Sequence, residues 1–329
     1  MQLLYQAALE SGIAGRAVGI FNADADPLLT ELQQQAASLS ILQPFRPAAR
    51  LLTAQGLTVS ETMPEALGLA LLHPAKQKQQ TLGWMAEAML KLAPGGELIA
   101  VCENKHGAKS YEKAMKQLAG HVASESKAKC RIMRARLSDG FDAALARQWL
   151  ADAAPRTVET LGMISQPGLF SWDRPDPGSQ LLLEHLPEQL EGVGMDLCCG
   201  YGLLAHHIRT TGKHEGLIHL IDADRQALAC AMQNVARPAK PHWLDAATER
   251  LPRGVEWIVC NPPFHAGQAR DVEMGQQIIV NACKALEPEG TLWLVANRKL
   301  PYEDVLWDNL DMVQTLTQEQ GFKVIEGTK

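Results

Sequence analysis

Gly194-Met195-Asp196-Leu197-Cys198-Cys199-Gly200-Tyr201-Gly202 starts as an apolar run, breaks into two spaced glycines, and is followed at once by a helical pattern from Leu203 to Arg209. A strand that ends in a glycine turn and opens a helix is the first unit of a doubly wound α/β sheet. Glycine supplies the positive φ of such a turn and leaves the backbone bare for a close ligand. The succession of later strand ends supports the assignment. A second strand, Leu217 to Ile221, ends in Asp222, twenty residues after Gly202, where an acidic group can accept from both hydroxyls of a ribose. Asp224 is expected to cap a helix from Arg225 to Val235. A third short strand, His242 to Leu244, ends in Asp245-Ala246, and a fourth, Trp257 to Cys260, ends in Asn261-Pro262-Pro263-Phe264. Successive strand ends therefore offer glycine, Asp222 and Asp245 to one nucleoside, with Asn261 beside them.

The fourth strand end carries its own chemistry. Asparagine offers a side-chain acceptor, two rigid prolines hold a backbone carbonyl in fixed geometry, and phenylalanine offers a flat face. Together they suit a planar group bearing an NH2. Taken alone, Asn-Pro-Pro also reads as a tight turn that merely ends a strand. His265, next in the chain, reads either as a substrate contact or as a loop histidine with a local hydrogen bond.

The first half repeats this order without the chemistry. Strand Ala17 to Phe21 ends in Asn22-Ala23-Asp24-Ala25-Asp26-Pro27, a polar turn lacking the glycines. A Gln/Ala-rich helix is expected from Leu28 to Leu42, then a strand Leu67 to Leu72 ending at His73-Pro74, a helix through Leu82, Met85, Met89 and Leu92, a break at Pro94-Gly95-Gly96, and a strand Leu98 to Cys102. The second half runs strand, Asn261-Pro262, a helix through Ile278, Ile279, Ala282 and Leu286, a break at Pro288-Glu289-Gly290, and strand Leu292 to Ala296. Self-similarity of this kind argues for two copies of one fold. His73 stands where the second copy has Asn261, so the first copy is expected to have lost its chemistry. Asp152-Ala153-Ala154-Pro155 reads as the boundary, giving domains 1–154 and 155–329.

Composition bounds the rest. The 329 residues are 46% hydrophobic and 21% charged, with net charge −6. Lys and Arg exceed Asp and Glu by 16 to 14 over residues 1–154 and fall short by 15 to 23 over 155–329, so any nucleic-acid contact has to be local. The stretch from Lys105 to Arg136 holds nine lysines and arginines, with His106 among them, diluted by Glu112 and Glu125 and by Glu103 just before it. It reads equally as a phosphate-contacting face and as a solvated helix with an edge strand. Seven scattered cysteines with no Cys-x-x-Cys pair predict reduced thiols in the cytoplasm and no zinc site. Vicinal Cys198-Cys199 reads as small apolar packing or as a redox device. Neither a signal peptide nor a membrane span is expected.

The run Asp196 to Gly202 resembles the glycine loop of class I S-adenosylmethionine-dependent methyltransferases, and Asn261 to Phe264 resembles their amino-methylating Asn-Pro-Pro-aromatic motif. Pro167-Gly168-Leu169-Phe170-Ser171 and Asp176-Pro177-Gly178-Ser179-Gln180-Leu181-Leu182-Leu183 are further similar to the RsmC-type ribosomal RNA guanine-N2 methyltransferases, which also carry a degenerate methyltransferase domain ahead of the catalytic one. The resemblance covers nearly the whole chain, most closely residues 165–300. It implies two tandem Rossmann-like class I methyltransferase domains, the first degenerate, with S-adenosylmethionine as cofactor. Asn261, Pro262 and Phe264 would be catalytic. Asp196, Cys198, Gly200, Gly202, Asp222, Asp245 and Ala246 would hold the cofactor, with Asp176 and Gly178 as further candidates, and Trp172 and Asp173 would line the pocket or pack over it. Cys198 departs from the family loop, which has its first glycine there. The implied partner is ribosomal RNA within a small ribosomal subunit, met by a monomer. The same motif also serves large-subunit guanine, adenine N6 and protein glutamine, although the glutamine enzymes usually have tyrosine at the position of Phe264. A non-catalytic ribosome-assembly factor and a nicotinamide dehydrogenase are the readings from other classes. Asn-Pro-Pro-Phe has no role in the dehydrogenase.

Overall fold

The computed structural model describes residues 2–263 and 269–329, with side chains described except at 264–271. The chain divides into two units, Met1–Ala154 and Pro155–Lys329.

In the first unit the strands are β1 (Ala17–Phe21), β2 (Ser38–Leu42), β3 (Val59–Ser60), β4 (Leu67–Leu72), β5 (Leu92–Glu103), β6 (Ala123–Lys127) and β7 (Cys130–Arg136). They form one sheet in the order β3-β2-β1-β4-β5-β7-β6, parallel except where β7 runs against β5 and β6. After a two-stranded hairpin, β8 (Arg156–Val158) with β9 (Met163–Ser165), the second unit has β10 (Gly194–Leu197), β11 (Ile218–Asp222), β12 (Ala239–Trp243), β13 (Val255–Cys260), β14 (Leu286–Asn297), β15 (Met312–Glu319) and β16 (Phe322–Thr328). Their order, β12-β11-β10-β13-β14-β16-β15, repeats the first sheet strand for strand, including the reversed β16. The repeat read from the sequence is thus a repeat of topology. Both first strands lie mid-sheet, and β10 is buried along its whole length, as a parallel strand covered on both faces must be.

One expected element is corrected. The helix expected from Leu28 to Leu42 stops at Gln35, and Ser38-Leu39-Ser40-Ile41-Leu42 is a strand paired in register with Ala17–Phe21. A Gln-rich, helix-favouring composition gives way there to alternation in a β-capable segment. The pairing buries Ile41 against the core of Leu4, Val18, Ile20 and Leu69, and burial of that kind overrides local propensity. Other boundaries move by a few residues: the Leu82–Leu92 helix is Lys78–Lys91, and the third strand of the second unit is Ala239–Trp243 rather than His242 to Leu244.

Both hydrophobic layers of the second sheet are continuous. Met195, Leu197, Ile258, Cys260, Ile279, Cys283 and Leu294 form one. Leu181, Leu204, Ile208, Leu220, Trp257 and Val259 form the other. No helix among the described residues is long and apolar enough to cross a membrane.

Candidate functional site

Chain reversals at the carboxyl ends of β10, β11, β12 and β13 bring the expected residues to one edge of the second sheet. The segment after β10 begins with Cys198 at φ 63°, followed by Gly200 at φ 53° and Gly202 at φ 87°. A left-handed non-glycine residue costs roughly 1–2 kcal/mol. Cys198 is held there by packing against the apolar layer that contains Cys260. Gly202 has no room for a side chain, since a Cβ would lie 2.9 Å from Val235 and 3.1 Å from Ala231. Gly200 is the opposite case. A Cβ there would meet nothing within 4 Å among the described residues, so this part of the turn faces open space.

Two carboxylates fix that turn. Asp222 Oδ2 accepts from the Gly200 N–H at 2.8 Å and Oδ1 from the Asp224 N–H at 2.7 Å, tying the ends of β10 and β11 together. Burial raises its pKa above the ordinary carboxylate range, opposed by these backbone donors. Its four lone-pair sites leave capacity for further donors. Asp196, fully buried, accepts from the Ala205 N–H at 2.9 Å through Oδ2, which anchors helix Leu203–Thr210 to β10. Burial pushes its pKa up to about 7, against the Ala205 N–H and with the help of the Asp222 charge. Asp224 caps helix Arg225–Asn234 through the Gln226 N–H, as expected. Asp245 shapes the turn after β12, accepting from Ala247 N–H at 3.1 Å and Thr248 Oγ1 at 2.5 Å, with Ala246 buried beside it.

At the end of β13 the asparagine amide is held in one orientation. Asn261 Nδ2 donates to Asp176 Oδ2 at 2.9 Å and to Ser179 Oγ at 2.8 Å. Asp176 also caps helix Pro177–Leu183, accepting from the Ser179 N–H at 2.8 Å. An ionised carboxylate only accepts, so the group facing it must be the NH2 of Asn261, which presents Oδ1 as the outward acceptor. Asp176 and Ser179 are both 7% exposed, so little water competes for these bonds. Gly178, in the same turn, admits the Phe322 ring, which would lie 3.0 Å from a Cβ there. Pro262 is buried, while Phe264 and His265 lie outside the described residues.

Sequence reasoning missed three contributors. Ser179 completes the clamp on Asn261, and the signal available was the Asp-Pro-Gly-Ser pattern of a capped helix start with proline at N1. Asn234 joins the lead-in hairpin to the glycine turn, donating to Ile164 O at 2.7 Å and Tyr201 O at 2.8 Å and accepting from Ile164 N–H at 2.8 Å. Tyr201, 4% exposed, has a hydroxyl with no partner among the described residues, and the same holds for Asp196 Oδ1 and Ser165 Oγ. Such buried atoms cost roughly 1–3 kcal/mol each unless something pairs them. Trp172 packs against the cluster of Met163, Leu169 and Tyr201, with the Arg156 guanidinium 5.0 Å from its ring centroid.

The corresponding edge of the first unit is filled. Asn22, at φ 60°, sits immediately after β1 as Cys198 does after β10. Gln43 follows β2 and repeats the Asp222 contact, its Oε1 accepting from the N–H two residues on, Phe45, at 2.9 Å. Its Nε2 then donates to Ala23 O at 2.7 Å and closes the turn. Tyr5 is fully buried and donates to Asp24 O at 2.9 Å, and Asn22 Nδ2 donates to His73 O at 3.1 Å. Burial disfavours the charged imidazole of His73 and lowers its pKa, opposed by the Asp24 charge. A cavity of about 290 Å³ opens at the other end of these strands, beside Arg16, Gly95 and Arg136. The Arg16 guanidinium is committed to Gly68 O at 2.5 Å and lies 3.9 Å from Glu97.

Of the basic stretch, Arg131 pairs with Glu112, Arg134 donates twice to Ala7 O at 3.2 Å, Lys127 lies 3.6 Å from Glu10 and Lys105 3.1 Å from Glu103. Lys109, Lys113 and Lys116 are exposed on helix Ala108–Ala119.

A Rossmann-like sheet with a reversed seventh strand, a glycine turn at its first strand end and Asn-Pro-Pro at its fourth defines a methyltransferase. The chain belongs to the methyltransferase small-domain family, whose model matches residues 160–326, while the N-terminal domain model of that family matches residues 10–152. More narrowly, it is 33% identical over 261 residues to the ribosomal RNA small subunit methyltransferase C of Alteromonas mediterranea, covering 78% of this chain and 71% of that one. It is 30% identical over 263 residues to the protein of the same name from Psychromonas ingrahamii, covering 78% and 74%. The fold matches that of the Thermus thermophilus 16S rRNA N2 G1207 methyltransferase solved with AdoMet and guanosine, with a TM-score of 0.81 and 23% identity over 99% of this chain and 92% of that one.

Proposed function

We propose that this chain transfers the methyl group of S-adenosylmethionine to the exocyclic N2 of a guanine in small-subunit ribosomal RNA, through the second unit. The observation that carries the reading is the fixed Asn261 amide, whose two N–H groups are taken by Asp176 and Ser179 so that Oδ1 is left to accept. The relatives named ribosomal RNA small subunit methyltransferase C support RNA as the substrate.

The residues present fit the cofactor. Gly200 leaves its backbone open, Asp222 keeps lone pairs for the ribose hydroxyls, and Asp245 with Ala246 stand at the neighbouring strand end for the adenine. Asp196 Oδ1 and the Tyr201 hydroxyl, without a partner among the described residues, offer an acceptor and a donor of the kind an amino-acid tail needs. When bound, S-adenosylmethionine supplies an electrophilic methyl on a sulfonium.

The guanine amine is a poor nucleophile because its lone pair is delocalised into the ring. Asn261 Oδ1 and the Pro262 carbonyl accept its two hydrogens and favour a pyramidal nitrogen with the lone pair available. Asp176 and Ser179 keep Asn261 from rotating as that bond forms, so no reorganisation is needed at the moment of reaction. Phe264 stacks on the base. No titrating base is required, since the methylated amine gives up its proton to water after transfer. The target base has to be unstacked to enter.

In this reading the first unit carries no methyl transfer and meets RNA through Lys109, Lys113 and Lys116. The protein acts as a monomer on a small ribosomal subunit in the cytoplasm. The test is labelled methyl transfer to small-subunit RNA from cells lacking the gene, followed by nucleoside analysis. N2-methylguanosine is expected. Label in adenosine or in protein overturns the assignment.

A further inference from the structure

The lead-in segment before Asp176 has a feature that the transfer chemistry leaves unused. Leu169 points into the cluster with Met163 and Tyr201, while its neighbour Phe170 is 62% exposed. Ser171 comes next, in the left-handed region at φ 45°, a conformation that a non-glycine residue adopts only when its surroundings impose it. The surroundings here are well anchored. Leu169 N–H donates to Gln166 O at 3.3 Å, Thr160 Oγ1 donates to Asp173 O at 2.5 Å, and Trp172 is packed below under Arg156. Arg174, with 79% of its side chain exposed, lies 3.4 Å from Asp173, and two residues further on Asp176 grips Asn261. A rigid turn thus holds an aromatic face and a guanidinium out to solvent on the same short segment that orients the reacting amide.

We propose that Phe170 is a second nucleobase platform, stacking on a base that flanks the target guanine in the RNA strand, with Arg174 beside it for the adjoining phosphate. The proposal rests on the RNA reading above and deepens it. Withdrawing the target base from its stack exposes a face of its neighbour, and an aromatic side chain that covers this face replaces the lost stacking without regard to sequence. Arginine next to an exposed aromatic is the usual composition of a single-strand contact. A protein partner on the same patch would also bury Phe170, but would leave protein-free RNA unaffected.

The test compares wild type, Phe170→Ala and Phe170→Trp on small-subunit RNA from cells lacking the gene, both protein-free and within assembled subunits, with S-adenosylhomocysteine binding measured by calorimetry. Phe170→Ala is expected to raise the KM for RNA about tenfold with kcat within about twofold of wild type. Phe170→Trp should restore KM, and all three proteins should bind S-adenosylhomocysteine equally. An unchanged KM in Phe170→Ala overturns the proposal, as does an effect confined to assembled subunits, which would mark a protein partner. A parallel loss of S-adenosylhomocysteine binding would place Phe170 at the cofactor and also overturn it. If wild type methylates no RNA at all, the functional reading itself fails and the platform with it.

Discussion

The two sheets have one strand order and opposite strand ends. In the first unit the turn after β1 is closed from within: Gln43 donates to Ala23 O, Tyr5 reaches Asp24 O, and Asn22 ties His73 by its carbonyl. In the second, Asp222 draws the turn after β10 back through the Gly200 N–H and leaves that glycine facing open space, while Asn261 is clamped by its NH2 alone. The contrast at one position is instructive. Gln43 and Asp222 both accept from the N–H two residues on, but an amide can also donate across the turn, and a carboxylate cannot. This exchange of side chain is one of the differences, beside Tyr5, Asn22 and the missing glycines, that separate a filled edge from an open one.

The comparison breaks most visibly at the fourth strand. Asn261→Ala should lower methyl transfer by about 10²–10³ with cofactor binding intact, the range for losing one preorganised partner of a developing charge, whereas His73→Ala should leave transfer unchanged. Single-turnover kinetics with labelled cofactor measure both. Asp176→Ala leaves the Asn261 amide held by Ser179 alone and removes a helix cap. It should cost about tenfold to a hundredfold in kcat and, from the cap, about 1 kcal/mol in stability, read by kinetics and thermal unfolding. Next in size, Asp222→Ala should weaken S-adenosylhomocysteine about tenfold in a calorimetric titration, through its lost ribose and turn contacts. Gln43→Ala should leave that affinity untouched and lower the stability of the first unit by about 1–3 kcal/mol, since its buried partners lose their bonds.

Smaller effects sharpen the picture of the turn. Cys198→Gly should relieve about 1 kcal/mol of backbone strain, less the packing of its thiol, and raise Tm by a few degrees, while Asn22→Gly should lower Tm, because asparagine already tolerates the left-handed region and the bond from its Nδ2 to His73 O is lost. Asp196 tests the electrostatics. Its pKa is raised from 3.8 to about 7, so the folded state binds a proton that the unfolded chain has already released. This contribution is fully present below about pH 4 and is lost as pH rises towards 7. Asp196→Asn should flatten that fall in a denaturant series across pH 4 to 7.

Much of the second unit is legible in the sequence, because strand ends are local. The apolar runs, the glycine turn, Asp222, the Asp224 cap and Asn261 each announce themselves within a few residues. The features that stay hidden depend on contacts far apart along the chain. The clamp on Asn261 comes from Asp176 and Ser179, 85 and 82 residues away. Asp176 is legible as a residue near the site, but not as one that grips the asparagine. The closure of the first unit by Tyr5 and Gln43 is hidden for the same reason. Its missing glycines suggest lost chemistry without showing what fills the space. β2 reads as helix because Gln- and Ala-rich composition precedes it, and only pairing with β1 exposes its alternation.

The central claim is that the acceptor at the end of β13, and not its counterpart at the end of β4, carries transfer to guanine N2. The direct measurement is mass spectrometry of small-subunit ribosomal RNA from cells lacking the gene, complemented in turn by wild type, His73→Ala and Asn261→Ala. The account predicts N2-methylguanosine restored by the first two and absent with the third at equal protein level. Restoration by Asn261→Ala would contradict it.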